Sequence, residues 1–283
     1  MPEQHMATIL ANKREGAYHR LILAAPNIAR DVRPGQFASL SVGGENTGMI
    51  LRRAFSVHQV NAGSAQGQTL ELIVSAHGPG TRWIVEQTPG KVLDVVSPLG
   101  KAFPLPKAPA NCLLIGGGYG SAPLVFLAKE LKKRQCSVDF ILGASTNDKL
   151  FDTMNAKRES RFFEVYTQDG SHGRQGVVTD ALSEMIQKGD TNVIYACGPM
   201  PMLAAITKIA THHGVVTQCA VEESMACGIG VCMTCVLPVQ DESGVTRMLR
   251  SCVDGPVFRG DLVRFEDVGS IPDDCVGAPG SSS

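Results

Sequence analysis

The sequence is poor in aromatic residues and has almost no net charge. Aromatic side chains make up 5% of its 283 residues, and 26 Lys and Arg against 27 Asp and Glu leave a formal net charge of −1. A nearly neutral chain lacks the overall field that attracts nucleic acid or an anionic membrane, and few aromatics leave little surface for base stacking. We therefore expect neither a nucleic-acid-binding nor a membrane-binding protein.

Several familiar signals are also missing. The sequence contains no run of about 18 apolar residues that could span a bilayer, and residues 1–16 lack the apolar stretch of a signal peptide. These features predict a cytoplasmic location. The sequence also lacks the HExxH, GxSxG and GK[ST] motifs, which argues against a zinc hydrolase, a serine hydrolase and a P-loop protein.

What the sequence does contain is a change of pattern near residue 106. Before it, short apolar runs alternate with Gly and Pro turns, which is typical of a β-barrel or sandwich. The predicted strands are 18–23, 36–42, 55–60, 70–76 and 92–96. A short helix is predicted over 80–87, with Thr81 as its N-cap.

A proline-rich segment, residues 104–109, separates this part from a region of alternating strands and helices. Alternation of this kind predicts a parallel sheet covered by helices on both faces. The predicted strands are 112–115, 137–142, 162–167 and 193–196, and the predicted helices are 122–134, 177–188 and 201–213.

The nine cysteines are distributed unevenly, because four of them lie within one short segment. These four are Cys227, Cys232, Cys235 and Cys252. The Cys-x4-Cys-x2-Cys spacing with a later fourth cysteine is the ligand pattern of plant-type [2Fe–2S] ferredoxins. The alternative is a zinc site with four cysteine ligands, although such sites more often contain two Cys-x2-Cys pairs.

Two further motifs follow predicted strands. Residues 116–123 read GGGYGSAP, a glycine-rich turn that lets backbone approach a pyrophosphate at a helix N-terminus. Residues 197–199 read CGP and enter the last predicted helix. Each motif has a second interpretation. The glycine-rich segment could be a tight turn without a ligand, and the cysteine of the CGP motif could be a buried structural residue.

Arg52 and Arg53 lie side by side between two predicted strands. They are interpreted either as a solvated strand edge or as a fork for a phosphate group, since arginine binds phosphate through two hydrogen bonds. The segment 78–81 at the start of the short helix is a second possible anion site.

Taken in order, these motifs resemble the ferredoxin–NADP reductase superfamily with an attached iron–sulfur domain. The stretches LRRAFS (51–56), EESMACGIGVCMTC (222–235) and CVDGPVF (252–258) are similar to the family of electron-transfer subunits of class 1B dihydroorotate dehydrogenase. The resemblance implies a β-barrel that binds FAD over 1–106, an α/β domain that binds NAD over 107–218 and a [2Fe–2S] domain over 219–267. We expect the glycine- and serine-rich tail, 268–283, to be disordered.

The resemblance also implies roles for individual residues. The four clustered cysteines would ligate the [2Fe–2S] cluster. Residues implied to contact FAD and its phosphates are Arg53, Phe55, Ser56, Gly80 and Thr81. Residues implied to line the nicotinamide-nucleotide side are Gly117, Gly118 and Gly120, with Cys197, Gly198 and Pro199 facing the flavin–nicotinamide stack. Tyr119 departs from the family, which usually has a small aliphatic residue there.

The implied function is electron transfer from an FMN-containing dihydroorotate dehydrogenase catalytic subunit, through [2Fe–2S] and FAD, to NAD⁺ in pyrimidine biosynthesis. The family implies an α2β2 heterotetramer. Because the cofactors carry out the chemistry, no side chain is needed as a general acid. The absence of arginine from 144–147 favours NAD over NADP. One alternative is the same module serving a hydrogenase, a bifurcating transhydrogenase or an oxygenase. A zinc-stabilised structural domain is an alternative from another class.

Overall fold

The computed structural model describes residues 1–44, 47–64 and 67–278. Its first part is a closed barrel of six antiparallel strands in the order β1-β2-β5-β4-β3-β6. The strands are β1 (Glu3–Glu15), β2 (Tyr18–Ala24), β3 (Phe37–Leu40), β4 (Arg53–Ser64), β5 (Gly67–Ser75) and β6 (Val92–Leu99), with short helices α1 (Pro26–Ala29) and α2 (Pro79–Val85).

Alternation of side chains produces the barrel core. Along β6 every second residue is buried, so Leu93 and Val95 point inward while their neighbours are partly exposed. The strand β1 was not predicted. It is long and bulged near Ile9, and it closes the barrel by pairing with both β2 and β6. All five predicted strands of this part are present with shifted ends.

The start of α2 differs from the prediction. Gly78, not Thr81, is the N-cap residue. Thr81 lies three positions further on, where its hydroxyl accepts a hydrogen bond from the Gly78 backbone N–H at 2.9 Å. Its hydroxyl thus satisfies a donor that precedes the helix, as the residue at that position does in a capping box.

The second part is a seven-stranded sheet in the order β10-β9-β8-β7-β11-β12-β15, parallel except for its last strand. Apolar clusters on its two faces confirm the predicted α/β layers. The strands are β7 (Asn111–Gly117), β8 (Ser137–Ala144), β9 (Phe163–Thr167), β10 (Arg174–Gln175), β11 (Val193–Cys197), β12 (Val216–Ala220) and β15 (Val257–Arg259). The helices are α3 (Ala122–Lys133), α4 (Thr153–Glu159), α5 (Leu182–Gly189) and α6 (Met200–His212). No helix of the described residues is long and apolar enough to cross a membrane.

The cysteine-rich part leaves this sheet and returns to it. Between β12 and β15 lies the cluster segment, residues 221–256, which contains the hairpin β13 (Val236–Gln240) and β14 (Thr246–Arg250). The predicted domain boundary at 218/219 therefore falls inside β12. The segment's last residue, Pro256, accepts a hydrogen bond from the Val221 backbone N–H at 2.9 Å.

Two predicted features are corrected by local contacts. The helix predicted over 177–188 begins only at Leu182, after a turn in which the Asp180 carboxylate accepts from the Val177 backbone N–H. Within the tail predicted to be disordered, Cys275 is buried and bridged to Thr246. The part of that prediction that concerns residues 279–283 lies outside the described residues.

Candidate cofactor sites

The cluster segment brings the four predicted cysteine ligands together as two pairs. The thiols of Cys227 and Cys232 lie within hydrogen-bonding reach of each other, and so do those of Cys235 and Cys252. Gly230 adopts the left-handed φ of +86° that the tight turn between the first two requires. A side chain on it would also lie 2.9 Å from Val253.

Backbone N–H groups surround the first thiol. Those of Val231 and Cys232 donate to Cys227 Sγ at 3.3 and 3.4 Å. Burial acts to raise the pKa of Cys227, but these donors outweigh it and lower the pKa. Hydrogen bonds from Thr234 and Cys227 lower the pKa of Cys232 to about 6. The outer pair therefore favours the thiolate form that metal ligation requires.

The paired arrangement distinguishes the two metal alternatives. A four-cysteine zinc site gathers its ligands around a single ion. Two pairs suit a cluster with two thiolates on each of two irons, so the geometry favours [2Fe–2S].

A cavity of about 430 Å³ opens at the end of the barrel and is named the barrel cavity. Three predicted FAD contacts, Arg53, Phe55 and Ser56, line it. Gly80 lies behind Arg53, because a Cβ on Gly80 would be 2.7 Å from the arginine Nε. The absent side chain of Gly80 therefore leaves room for the guanidinium group beside the start of α2.

The two adjacent arginines have different surroundings. Arg52 donates to both carboxylate oxygens of Asp94 at 3.0 Å and to the Ser39 carbonyl. Its hydrogen bonds to Asp94 lower the pKa of that carboxyl. Arg53 donates to the backbone carbonyls of residues 51 and 52 and forms no ion pair within the described residues. Arg53 is therefore the arginine whose charge is available to a phosphate.

Thr81 does not join the lining of the barrel cavity. It is buried, and its hydroxyl accepts from the backbone N–H groups of His77 and Gly78 while donating to the Gly78 carbonyl. These three bonds use its capacity fully. Thr81 thus shapes the turn before α2, and its placement does not match the implied direct contact with a pyrophosphate.

A second cavity, of about 520 Å³, lies at the carboxyl ends of the parallel strands and is named the sheet cavity. Its lining includes Gly117 and Gly118, which were predicted for the nucleotide side, and Pro199, which was predicted to face the flavin–nicotinamide stack. Lys149 also lines it and is the one Lys or Arg among its described lining residues. Ligands of open α/β sheets bind at this edge.

Gly120 and Cys197 do not line the sheet cavity. Gly120 faces the barrel cavity. Cys197, predicted to face the flavin–nicotinamide stack, is 2% exposed and packs in the core between the sheet and α3. Burial raises the pKa of this thiol well above its usual value. The side chain points into the core because neighbouring residues of β11 face opposite sides of the sheet.

Gly120 holds the glycine-rich turn against the turn that follows β11. A Cβ on it would lie 2.7 Å from the Cys197 carbonyl oxygen and 2.8 Å from the Gly198 Cα. We expect Gly120→Ala to lower the free energy of unfolding by about 2 kcal/mol, because backbone must move to accept the methyl group. Urea denaturation measures this loss.

Gly48→Ala is the matched control, because nothing lies within 4 Å of a Cβ there and Gly48 does not adopt a left-handed φ. We expect it to change stability by less than about 0.5 kcal/mol. Equal losses in the two variants would show that close approach at Gly120 is not a constraint.

Four residues connect these sites. Phe37 and Met225 line the barrel cavity and also pack against Cys235 and Cys252. Tyr119 and Glu222 line both the barrel cavity and the sheet cavity. The cysteine pairs, the barrel cavity and the sheet cavity therefore form a continuous series, each separated from the next by side chains that touch both.

The comparisons with known proteins agree with this arrangement. Residues 222–264 match the model of the iron-sulfur cluster binding domain of dihydroorotate dehydrogenase B, and residues 114–208 match an oxidoreductase NAD-binding domain. A dihydroorotate dehydrogenase B (NAD(+)) electron transfer subunit from Geobacillus thermodenitrificans (strain NG80-2) is 38% identical over 250 residues, covering 87% of this chain and 92% of the relative. The chain belongs to this family of electron transfer subunits. The subunit from Listeria monocytogenes serotype 4b (strain F2365) is 36% identical and covers 93% of this chain and 99% of its own length.

Solved structures agree with the family assignment. A chain of the NADH-dependent reduced ferredoxin-NADP oxidoreductase, studied for flavin-based electron bifurcation, superposes with a TM-score of 0.81 at 27% identity, covering 93% of this chain and 91% of that one. A ferredoxin NADP⁺ reductase from Neisseria gonorrhoeae with bound FAD and NADP gives a TM-score of 0.60 at 18% identity, covering 75% of this chain and 92% of that one, which shows the shared fold. The predicted family and fold class are confirmed.

Three of the four connecting residues were not predicted from the sequence, because an isolated apolar or acidic residue carries no motif. They are Phe37, Met225 and Glu222. The one available signal was the position of Met225 and Glu222 next to the first cluster cysteine. Tyr119 was singled out only as a departure from the family.

Proposed function

We propose that this chain is the electron transfer subunit of an NAD-linked dihydroorotate dehydrogenase, acting in pyrimidine biosynthesis. The observation that carries the proposal is the continuous series of paired cysteines, barrel cavity and sheet cavity. Its order is the order in which electrons would pass from a [2Fe–2S] cluster to FAD and then to NAD⁺. The family membership supports the same reading.

The residues present fit these cofactors. Cys227, Cys232, Cys235 and Cys252 would hold the cluster as two thiolate pairs, and the N–H donors at Cys227 would stabilise negative charge on sulfur. When bound, the cluster exchanges single electrons, NAD⁺ takes up a hydride and the flavin can do both. The chain's own contribution is to bind, orient and separate these groups.

On the flavin side, Arg53 supplies the unpaired guanidinium for the FAD pyrophosphate. Phe55 and Ser56 extend along β4 into the same cavity and would contact the flavin. Phe37 packs between this cavity and the buried cysteine pair. Met225 lies at the same boundary, so the side chains between the two sites include two apolar ones.

On the nucleotide side, Gly117 and Gly118 let backbone approach the dinucleotide, and Pro199 lies beside Gly117 in the same lining. Lys149 lies in the sheet cavity, whereas residues 144–147 contain no arginine. A 2′-phosphate is usually paired with arginine. We therefore keep the assignment of NAD over NADP.

The partner is a dihydroorotate dehydrogenase catalytic subunit that contains FMN, assembled with this chain as an α2β2 heterotetramer. None of the nine cysteines, all of which the structure describes, forms a disulfide. This suits the reducing cytoplasm and the use of four thiolates as ligands. The division into domains at residues 106, 218 and 267 remains a prediction.

The test begins with the isolated chain after anaerobic purification. We expect about two irons and one FAD per chain, and NADH-dependent reduction of ferricyanide without any oxidation of dihydroorotate. Co-expression with the catalytic subunit encoded in the same genome should add dihydroorotate-dependent NAD⁺ reduction, with sedimentation as a heterotetramer. Oxidation of dihydroorotate by the isolated chain, or a colourless chain with one zinc, would refute the proposal.

A different electron donor or acceptor is the second candidate, because the chain superposes on the bifurcating oxidoreductase. The identity to curated dihydroorotate dehydrogenase subunits, 38%, exceeds the 27% to that structure. Failure of the complex to reduce NAD⁺ with dihydroorotate, combined with normal iron, FAD and ferricyanide reduction, would favour this second candidate.

A further inference from the structure

Tyr119 and Glu222 form the boundary between the barrel cavity and the sheet cavity. Among the lining residues that the structure describes, these two belong to both cavities. Tyr119 Oη donates a hydrogen bond to Glu222 Oε2 at 3.0 Å. Since Tyr119 belongs to the glycine-rich turn and Glu222 to the cluster segment, this bond joins the two sides of the boundary.

The chemistry requires that this boundary open. Hydride transfer needs its two reacting atoms about 3–3.5 Å apart, with no side chain between them. A dinucleotide whose phosphates lie against Gly117 and Gly118 in the sheet cavity must extend its nicotinamide ring past residue 119 to meet a flavin in the barrel cavity. The ring of Tyr119 therefore occupies the route of the nicotinamide.

We propose that Tyr119 is an access gate for nicotinamide, held closed by its hydrogen bond to Glu222. Binding of NAD⁺ in its reactive position breaks this bond and displaces the ring. Binding of the adenosine-diphosphate part alone does not. The inference rests on the proposed function, because it assigns the sheet cavity to NAD⁺.

The surroundings of the ring suit a movable group. Tyr119 is 41% exposed, so its ring is not enclosed in the apolar core. Its aromatic neighbour is Tyr18, in an edge contact with centroids 6.1 Å apart. Tyr18 is itself buried and anchored through its hydroxyl to the Lys149 carbonyl. One ring is fixed and the other is held by its hydroxyl.

The Glu222 carboxylate is well placed to act as the latch. Burial raises its pKa, and the hydrogen bond from Tyr119 partly offsets this. Glu222 is exposed in this structure, but a hydrogen bond from a hydroxyl to a charged carboxylate still contributes free energy, so opening the gate has a cost that NAD⁺ binding must meet.

Isothermal titration of the oxidised chain, carrying its cluster and FAD, measures this cost. The two ligands are NAD⁺ and ADP-ribose, which lacks nicotinamide. Tyr119→Phe keeps the ring and removes the hydroxyl. We expect it to lower the Kd for NAD⁺ about tenfold, or ~1.4 kcal/mol, and to change the Kd for ADP-ribose less than twofold.

Glu222→Ala removes the acceptor instead of the donor. We expect a similar gain for NAD⁺, and no further gain in the double variant Tyr119→Phe/Glu222→Ala, because both changes break one bond. Additive gains would show that the residues act separately and would overturn the proposal. So would an unchanged or weaker affinity of Tyr119→Phe for NAD⁺, or an equal gain for both ligands. If neither ligand binds the unaltered chain, the assignment of the sheet cavity to NAD⁺ fails, which is a different result.

Discussion

Replacing Cys232 with serine should remove iron from the chain and stop electron transfer between its partner and NAD⁺. Cys232 is the exposed member of the outer cysteine pair, so the substitution leaves the buried core intact. Changes beside a metal ligand already cost about 10–100-fold, and loss of a ligand should cost at least about 100-fold. The measurement is dihydroorotate-dependent NAD⁺ reduction by the complex, together with iron per chain.

Two further measurements show whether this loss is specific to the cluster. NADH-dependent reduction of ferricyanide by Cys232→Ser should remain near the unaltered rate, because the barrel and sheet cavities do not include Cys232. Cys136→Ala is the matched control, since this cysteine is buried in the apolar cluster around α3, away from the cluster segment. Its iron content should be unchanged. Full iron in Cys232→Ser would contradict the ligand assignment.

Replacing Arg53 with alanine should weaken FAD binding about 100-fold or more. Each hydrogen bond to a charged partner contributes about 1.5–3 kcal/mol, and arginine makes two to a phosphate. Two such bonds correspond to a loss of at least about 100-fold in affinity. Fluorescence titration of the FAD-depleted chain with FAD measures the Kd. The Kd of Arg53→Lys should lie between those of the unaltered chain and Arg53→Ala.

Arg52→Ala is the natural comparison, because the two arginines are adjacent and differ in their partners. Arg52 is bound to Asp94 and to the Ser39 carbonyl. We expect its loss to reduce the free energy of unfolding by about 2 kcal/mol and to change the Kd for FAD less than tenfold. If the two variants exchange these effects, the assignment of Arg53 to the pyrophosphate is wrong.

The parts of the molecule with strong local patterns were predictable from the sequence. The cysteine spacing singled out four residues that the fold brings together, and alternation of strands with helices indicated the parallel sheet. Both patterns reflect short-range geometry. The adjacent arginines show the limit of such reasoning. Their identity allowed a phosphate fork or a solvated strand edge, and only the fold shows that Asp94, 42 positions away in sequence, binds Arg52 and not Arg53.

Features that depend on distant partners were not predictable. The strand β1 closes the barrel through its pairing with β6, which no local pattern reveals. Cys197 was predicted at the reaction centre from its motif, but the alternation of β11 turns its side chain into the core. Glu222 becomes important only because the fold places it beside Tyr119, 103 positions away.

The cluster segment begins and ends at the same place in the sheet, since Ala220 of β12 is paired directly with Val257 of β15. An inserted segment whose two ends are neighbours can be replaced by another segment without altering the length or register of the two strands that it connects. Residues 221–256 thus form one insertion between two neighbouring strands at the edge of the sheet. Transplanting them onto another reductase of this fold would require a matching pair of edge strands and an apolar contact equivalent to Phe37. The recipient flavin enzyme would then gain a site that accepts single electrons.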